Sequence, residues 1–437
     1  MSHQPRANGA LLAKLAAAAI TYGFTLLLAR LMSPDAFGQV VFFLNAAVLM
    51  AVVGARGQQL ALLRFLPGLT GFGQHRRFAA TWLVAAKRAR TGTLLVTAAF
   101  VALALLVRQA GGLNGFSTAT ILLGGALILA VGWVDFLAHF ARALGRIQLS
   151  LWPKELLWRS FAGLAVLALA MIVGRTGLNA ELVLTILAAS LALLCVIVRA
   201  TLGLGRLPNI PPAPPHAGWA DSRTPFWVNS VSNVFLANAD VVAVGLLFGA
   251  TEAGIYFLAN RLAMLLAFFM VAHNVVLAPA VSRRFHQGQL PQIETIACRA
   301  ARKMTVPTIA LGVVLVGMAD PILALFGPNF ATAAPVLWVL VAAGIVNAAT
   351  GPSDILLNLC GKERVAMRVS LASLVLSTVL IAGLGMANGP LGVALAVLVA
   401  TCARKAMYGI ALWQHLAMRA DAGGGATGPN PLAAGHG

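Results

Sequence analysis

Apolar residues run along this chain in twelve long stretches separated by short polar loops. The stretches cover residues 9–32, 38–60, 91–111, 118–140, 156–174 and 181–203, then 226–249, 254–282, 306–326, 332–358, 368–388 and 391–413. A helix needs roughly 20 mostly apolar residues to cross a bilayer. The pattern therefore predicts an all-α polytopic membrane protein with about twelve transmembrane helices. Hydrophobic residues make up 60% of the chain and charged residues only 10%, with a mean hydropathy of +0.88, whereas a soluble domain carries about 25% charge.

The break in this rhythm is PNIPPAPPH, Pro208 to His216. Such proline density forbids helix and favours an extended linker. The chain is expected to divide into an N-terminal six-helix lobe over 1–207, a cytoplasmic linker over 208–225, a C-terminal six-helix lobe over 226–418 and a disordered tail over 419–437. Because six is even, both lobes begin on one side of the membrane, so any repeat between them runs parallel about the membrane normal. A trace of one is present. SPDAFGQVVFFLN (Ser33 to Asn45) and ATEAGIYFLAN (Ala250 to Asn260) each place an acid, a glycine, an apolar run and an asparagine in order. Two similar turns explain this as well as a repeat does.

Charge sets the expected orientation. Of the 31 basic residues, 27 fall at the N-terminus or in every second loop, while the opposite loops hold Arg30, Arg108 and Arg175, and Arg261 sits inside a stretch. Lys and Arg are retained in cytoplasmic loops, which predicts cytoplasmic N- and C-termini in a bacterial inner membrane. The same placement accounts for the net charge of +19 through contact with anionic lipid headgroups, without nucleic acid. The first stretch contains Lys14 and runs directly toward a second, so it reads as an uncleaved helix rather than a signal peptide. Cys195, Cys298, Cys360 and Cys402 all map toward the cytoplasmic side, leaving no outer pair for a disulfide.

Familiar catalytic signatures are missing. The Gly-Lys pair at Gly361 and Lys362 is followed by Glu363, so there is no nucleotide-binding G-x-x-x-x-G-K-[ST] loop. Neither H-E-x-x-H nor G-x-S-x-G occurs, no metal site is indicated, and no loop is long enough to hold a separate catalytic domain. Transport, rather than an enzymatic reaction, is the function class left standing.

Three segments carry a family resemblance. NADVVAVGLLFGATEAGIYFLANRLA (Asn238 to Ala263), LLARLMSPDAFGQVVFF (Leu27 to Phe43) and FGPNFATAAPVLWVLVAAGIVNAATGPSDILLNLCGKERVAMR (Phe326 to Arg368) resemble polysaccharide flippases of the multidrug/oligosaccharidyl-lipid/polysaccharide (MOP) exporter superfamily. The resemblance implies two six-helix lobes around a central cavity that opens alternately to each side. It implies a cargo of undecaprenyl-pyrophosphate-linked glycan for lipopolysaccharide O-antigen or exopolysaccharide synthesis, with polymerase and assembly proteins as partners. Two relatives define the alternatives: a cation-coupled multidrug antiporter and a lipid II flippase. A non-transporting membrane scaffold is a third reading, under which buried charges affect stability alone.

A charge near the bilayer centre costs about 2.5–3.5 kcal/mol by insertion scales, so such residues face a cavity or a partner. Arg261 is the first candidate for pyrophosphate, because a guanidinium can donate two parallel hydrogen bonds to phosphate oxygens. Asp240 lies on the preceding helix and offers the competing reading of a structural ion pair with Arg261. Arg30, Arg56 and Arg64 could extend a cationic path, although Arg at a helix end also snorkels to headgroups. Arg56 lies in GARG, where Gly54 and Gly57 allow close packing. Asp135 and His139 share a helix face and suit a proton relay, or a solvated helix end. Asp354 follows Gly351 and Pro352, a candidate hinge or ion site, and His273 and Asn274 could line the cavity or bond between helices. No cofactor is expected beyond a possible coupling proton or sodium ion.

Overall fold

A computed structural model describes residues 4–69, 75–113, 115–174, 177–204, 219–270, 277, 290–351, 353, 356–357 and 363–423. Among them there is no strand. The principal helices are α1 (Gln4–Leu31), α2 (Pro34–Ala55), α3 (Gln58–Phe65), α4 (His75–Gln109), α5 (Thr118–Ala143), α6 (Ile147–Leu151), α7 (Trp158–Val173) and α8 (Ala180–Thr201), followed by α9 (Trp219–Phe248), α10 (Ala250–Ala263), α11 (Leu290–Gly317), α12 (Ala319–Ala324), α13 (Ala334–Ala349) and α14 (Glu363–Gly423). A π-helical segment, Trp152–Leu157, joins α6 to α7.

Ten helical segments among the described residues are long and apolar enough to cross a membrane. One of them, Arg364–Gln414, is two spans, because α14 breaks at Asn388 and at Gly389 (φ 64), where Pro390 follows. A left-handed residue and a missing backbone donor end the first span there, at the boundary that the spacing predicts. The shorter apolar Ala16–Leu31 brings the number to the twelve expected. Large apolar side chains point outward: Ile172 is 81% and Trp413 72% exposed. A surface of this kind is suited to lipid, not water. The protein is a multi-pass membrane protein.

Helix starts follow from local chemistry. Ser33 accepts from the Ala36 amide at 3.2 Å with Pro34 at the first helical position. Ser117 accepts from the Thr120 amide at 3.0 Å and Asn179 from that of Leu182 at 2.9 Å. Each satisfies an orphan donor at the start of α2, α5 or α8. The second predicted stretch, 38–60, does not run through as one helix. Arg56 (φ 50) and Gly57 (φ 72) are both left-handed, so α2 stops at Ala55 and the chain restarts as α3. Gly54 serves packing: a methyl there would lie 2.6 Å from the Thr93 Cα, and one on Gly92 would lie 2.2 Å from the Gly54 carbonyl oxygen. Small residues let α2 and α4 approach backbone to backbone.

The N-terminal group, α1 to α8, and the C-terminal group, α9 to α14, meet along α2, which packs against α4, α5 and α8 of its own group and α9 and α10 of the other. At the end where α2 and α10 begin, the contact is close. A methyl on Gly38 would sit 1.7 Å from the Ala250 carbonyl oxygen, and one on Gly254 would sit 3.1 Å from the Gly38 Cα. Phe37 seals this seam with edge-on contacts to Phe257 (6.2 Å) and Phe330 (5.6 Å). The predicted linker and tail fall largely outside the described residues, with α9 beginning at Trp219 and α14 running on to Gly423.

Candidate functional site

Beyond the seam the two groups diverge around a cavity of about 390 Å³, within the size range of small-molecule sites. Its walls are mostly apolar. Charge enters from three elements: Asp135 and His139 on α5, Lys154 and Arg159 at and after the π-helical segment, and Arg261 on α10. Asn45, Gln59, Ser230, Asn233 and Asn238 supply neutral polar groups.

The π-helical segment explains how two basic residues beside a loop reach the interior. Pro153 lacks the donor a regular turn needs, and the wide turn redirects the following side chains, as such bulges do at functional sites. Lys154 donates through Nζ to Asp135 Oδ1. Trp158 Nε1 donates to the Lys154 carbonyl at 2.8 Å, and Phe24 packs edge-on against the indole at 5.9 Å. Arg159 stacks its guanidinium 4.5 Å from the Trp158 ring centre and donates to the Glu155 carbonyl at 3.1 Å.

His139 Nδ1 lies 2.8 Å from its own helix's Asp135 carbonyl oxygen and 3.4 Å from Asp135 Oδ2. Both neighbours are acceptors, so Nδ1 carries the proton. Asp135 thus faces Lys154 and His139 together.

Arg261 is placed differently. Its guanidinium lies 4.9 Å from the Phe257 ring centre and, among the described residues, its Nη1 reaches only the Met264 sulfur at 3.8 Å and its Nε has no hydrogen-bond partner. Its carbonyl accepts from the Tyr22 hydroxyl at 2.6 Å, tying α10 to α1 across the cavity. Arg159 and Arg261 line the same cavity. Gln59 adds a buried Oε1 without a partner among the described residues. Among the described residues, three cations against one carboxylate, with the imidazole aside, give the chamber an excess of positive charge and unused hydrogen-bonding capacity.

The other residues singled out by the sequence lie elsewhere. Asp240 is buried but does not line the cavity: its Oδ2 accepts from Asn260 Nδ2 at 2.9 Å and the Tyr256 hydroxyl at 3.1 Å, and Oδ1 from the Val241 amide at 2.9 Å. Among the described residues it makes no ion pair with Arg261; the pairs there are those of Asp135 with Lys154 and His139. Arg30 is exposed at the seam end and donates to the Leu325 carbonyl. Arg56 is exposed at the left-handed break, which turns it away from the chamber. Arg64, also exposed, stacks over Phe65 and Phe226 at 5.6 and 5.7 Å. Asp354, His273 and Asn274 lie outside the described residues.

Lys154 and Arg159 are cavity residues that charge counting places in a loop. Ser230, Asn233 and Asn238 also went unremarked, although their spacing of three and five puts them near one face of α9. Polar residues repeating in this way within an apolar span are the signal for them.

No family model matches the sequence and no curated protein matches it. Solved structures do share its fold. A lipid II flippase, MurJ, in an inward closed conformation, superposes with a TM-score of 0.68 at 14% identity over 92% of this chain and 87% of that one. An inward-facing multidrug resistance MATE family transporter of the MOP superfamily gives 0.62 at 11% identity over 93% and 98%. A MOP superfamily transporter from Pyrococcus furiosus, described by the reversed polarity of its binding pocket, gives 0.59 at 11% over 93% and 94%. The fold is that of MOP superfamily transporters, and these neighbours are transporters rather than enzymes.

Proposed function

We propose that this chain is a flippase that moves a polyprenyl-pyrophosphate-linked oligosaccharide from the cytoplasmic to the periplasmic leaflet of a bacterial inner membrane, for synthesis of cell-surface polysaccharide. The observation that carries this reading is the cationic chamber, lined by Lys154, Arg159 and Arg261, with an Arg261 Nε left unpartnered among the described residues. Cations gathered in one cavity favour an anion there. A pyrophosphate meets them with charge-assisted, bidentate hydrogen bonds, strengthened by the low dielectric of the surroundings.

The neutral groups fit the rest of the headgroup. Asn45, Gln59 and the polar face of α9 offer donors and acceptors to sugar hydroxyls, while the apolar tail stays in lipid. Withdrawing that tail from lipid would cost about 0.8 kcal/mol per methylene. Alternating access uses the α2–α10 seam: closed, it bars the periplasmic exit, and its parting releases the cargo. A coupling proton, rather than sodium, suits Asp135 and His139, because Lys154 already occupies the carboxylate and repels a second cation. Both termini lie in the cytoplasm under this reading, and polymerase and assembly proteins receive the product on the periplasmic side, after it has crossed.

A lipid II cargo is the second reading, favoured by the fold likeness to a lipid II flippase. A cation-coupled drug antiporter fits less well, since Asp135, the one carboxylate lining the chamber among the described residues, is already engaged. The test is leaflet-resolved accumulation of lipid-linked glycan, read with a periplasmic glycan-modifying enzyme, in cells lacking the protein and complemented with wild type or Arg261→Ala. Cytoplasmic-leaflet accumulation that wild type relieves and a stably inserted Arg261→Ala does not is the expected result. Accumulation of lipid II alone moves the cargo to the second reading. Unchanged glycan distribution overturns flipping.

A further inference from the structure

On the outer face of the N-terminal group lies a second concavity, unconnected with the chamber. α5 packs against both α4 and α8, and the space between those two helices is a groove of about 690 Å³. Alanines cut it: Ala126 and Ala130 on α5, Ala188, Ala189 and Ala192 on α8. Their spacing of three and four puts them on facing helix stripes. Larger residues there would fill the space that these leave open.

Polar groups within the groove are spent or confined to one end. The Thr93 and Thr185 hydroxyls bond to the Ala89 and Glu181 carbonyls of their own helices. Arg90 and Arg199 remain, both exposed, lining the same groove and without an ion-pair or hydrogen-bond partner among the described residues. α4 and α8 run in opposite directions, so Arg90 near the start of one span and Arg199 at the end of the other lie at the same membrane face. That face is the one the basic loops mark as cytoplasmic. From Thr185 to Arg199, fourteen residues of α8 rise about 21 Å, more than the roughly 15 Å of hydrocarbon in one leaflet. The groove is long enough to hold an acyl chain along its whole length, with two arginines at its polar end.

We propose that this groove is a binding site for one anionic phospholipid, its phosphate held between Arg90 and Arg199 and an acyl chain laid along the alanine-lined floor. Charge complementarity selects the occupant. Basic pockets between transmembrane helices recognise anionic headgroups, and a guanidinium pair favours a net-negative phosphate over one neutralised by its own choline. The site is independent of cargo and holds whether or not the chain flips lipid.

The test uses the full-length protein in detergent, stripped of lipid and titrated with phosphatidylglycerol or phosphatidylcholine, with retained lipids counted by native mass spectrometry. Wild type is expected to retain one phosphatidylglycerol in preference to phosphatidylcholine by about tenfold, the scale of one charge-assisted contact. Arg90→Gln with Arg199→Gln removes the preference. Ala189→Trp, which fills an exposed groove position, removes retention of either lipid, and Lys87→Gln with Arg88→Gln, outside the groove, changes neither. Equal retention of both lipids by wild type overturns the proposal, as does a preference that survives the double arginine variant. Tighter retention of a polyprenyl phosphate, or a protein dimer in place of lipid adducts, replaces the occupant and so overturns it too.

Discussion

Among the described residues, each helical group sets one aspartate wholly or largely within its apolar helices, Asp240 buried and Asp135 half-buried, and the two are held in opposite ways. Asp135 faces open space and is met by charge: the Lys154 ammonium and the His139 ring. Asp240 faces dense packing and is met by neutral donors: a tyrosine hydroxyl, an asparagine amide and a backbone amide. The first arrangement can rearrange when an anion enters, because its partners are long side chains at the edge of a cavity. The second is fully committed, and a change there is felt as lost structure. A buried charge in a membrane protein therefore signals function only when its surroundings leave it something to do.

The sharpest way to break this contrast is Asp240→Ala. It strands the Tyr256 hydroxyl and the Asn260 amide in an apolar interior, and loss of about 3 kcal/mol of stability is expected from two unsatisfied donors. Chemical denaturation in detergent measures it, and a loss below about 1 kcal/mol would show that Asp240 is not structural. Arg159→Met comes next. It keeps the apolar stem but removes one of the chamber's guanidiniums, and glycan translocation should fall about tenfold with little change in unfolding midpoint. A matching drop in both quantities would erase the distinction between the two regions.

Asp135→Asn is expected to act in the opposite sense on binding. With the carboxylate neutral, Lys154 adds its charge to the chamber, and affinity for inorganic pyrophosphate should rise at least about fivefold, since one unit charge even about 15 Å away is worth roughly 1 kcal/mol at an effective dielectric near 20. Isothermal titration would show it, and weaker binding would mean that Asp135 itself organises the anion site. The smallest effect is Arg56→Gly. Relief of a left-handed non-glycine residue (φ 50) should stabilise by about 0.5 kcal/mol and leave transport unchanged. Reduced transport in this variant would bring Arg56 into the pathway.

Helices and charge were legible in the sequence to different depths. Apolar length alone marks the twelve spans, and Gly389 with Pro390 marks the division inside the long last helix. The end of α2 was not legible as a break, because GARG reads equally as a packing motif inside a span, and only the backbone shows Arg56 and Gly57 both left-handed. Arg261 stands out because a lone charge deep in an apolar run faces a cavity or a partner, whereas Asp135 stands out less, because a solvated helix end also accounts for it. Lys154 and Arg159 do not stand out, since they follow Arg142 and Arg146 in a basic region and look like its continuation. A single wide turn at Pro153 separates the two pairs, and turn geometry of that kind leaves no periodic trace. The choice between an Asp240–Arg261 ion pair and separate roles was open for a related reason: adjacency in sequence cannot say which way two side chains on neighbouring helices point.

Under the alternating access proposed above, the seam at Gly38 has a consequence for the balance between states. A methyl group at this position would collide with the Ala250 carbonyl oxygen at 1.7 Å, a clash that exists only while α2 and α10 are together. Gly38→Ala is thus a veto on one member of the conformational ensemble, delivered without touching the chamber or its cargo. Since a population ratio responds exponentially to such a penalty, a single hydrogen in place of a methyl is what lets the closed form be occupied at all.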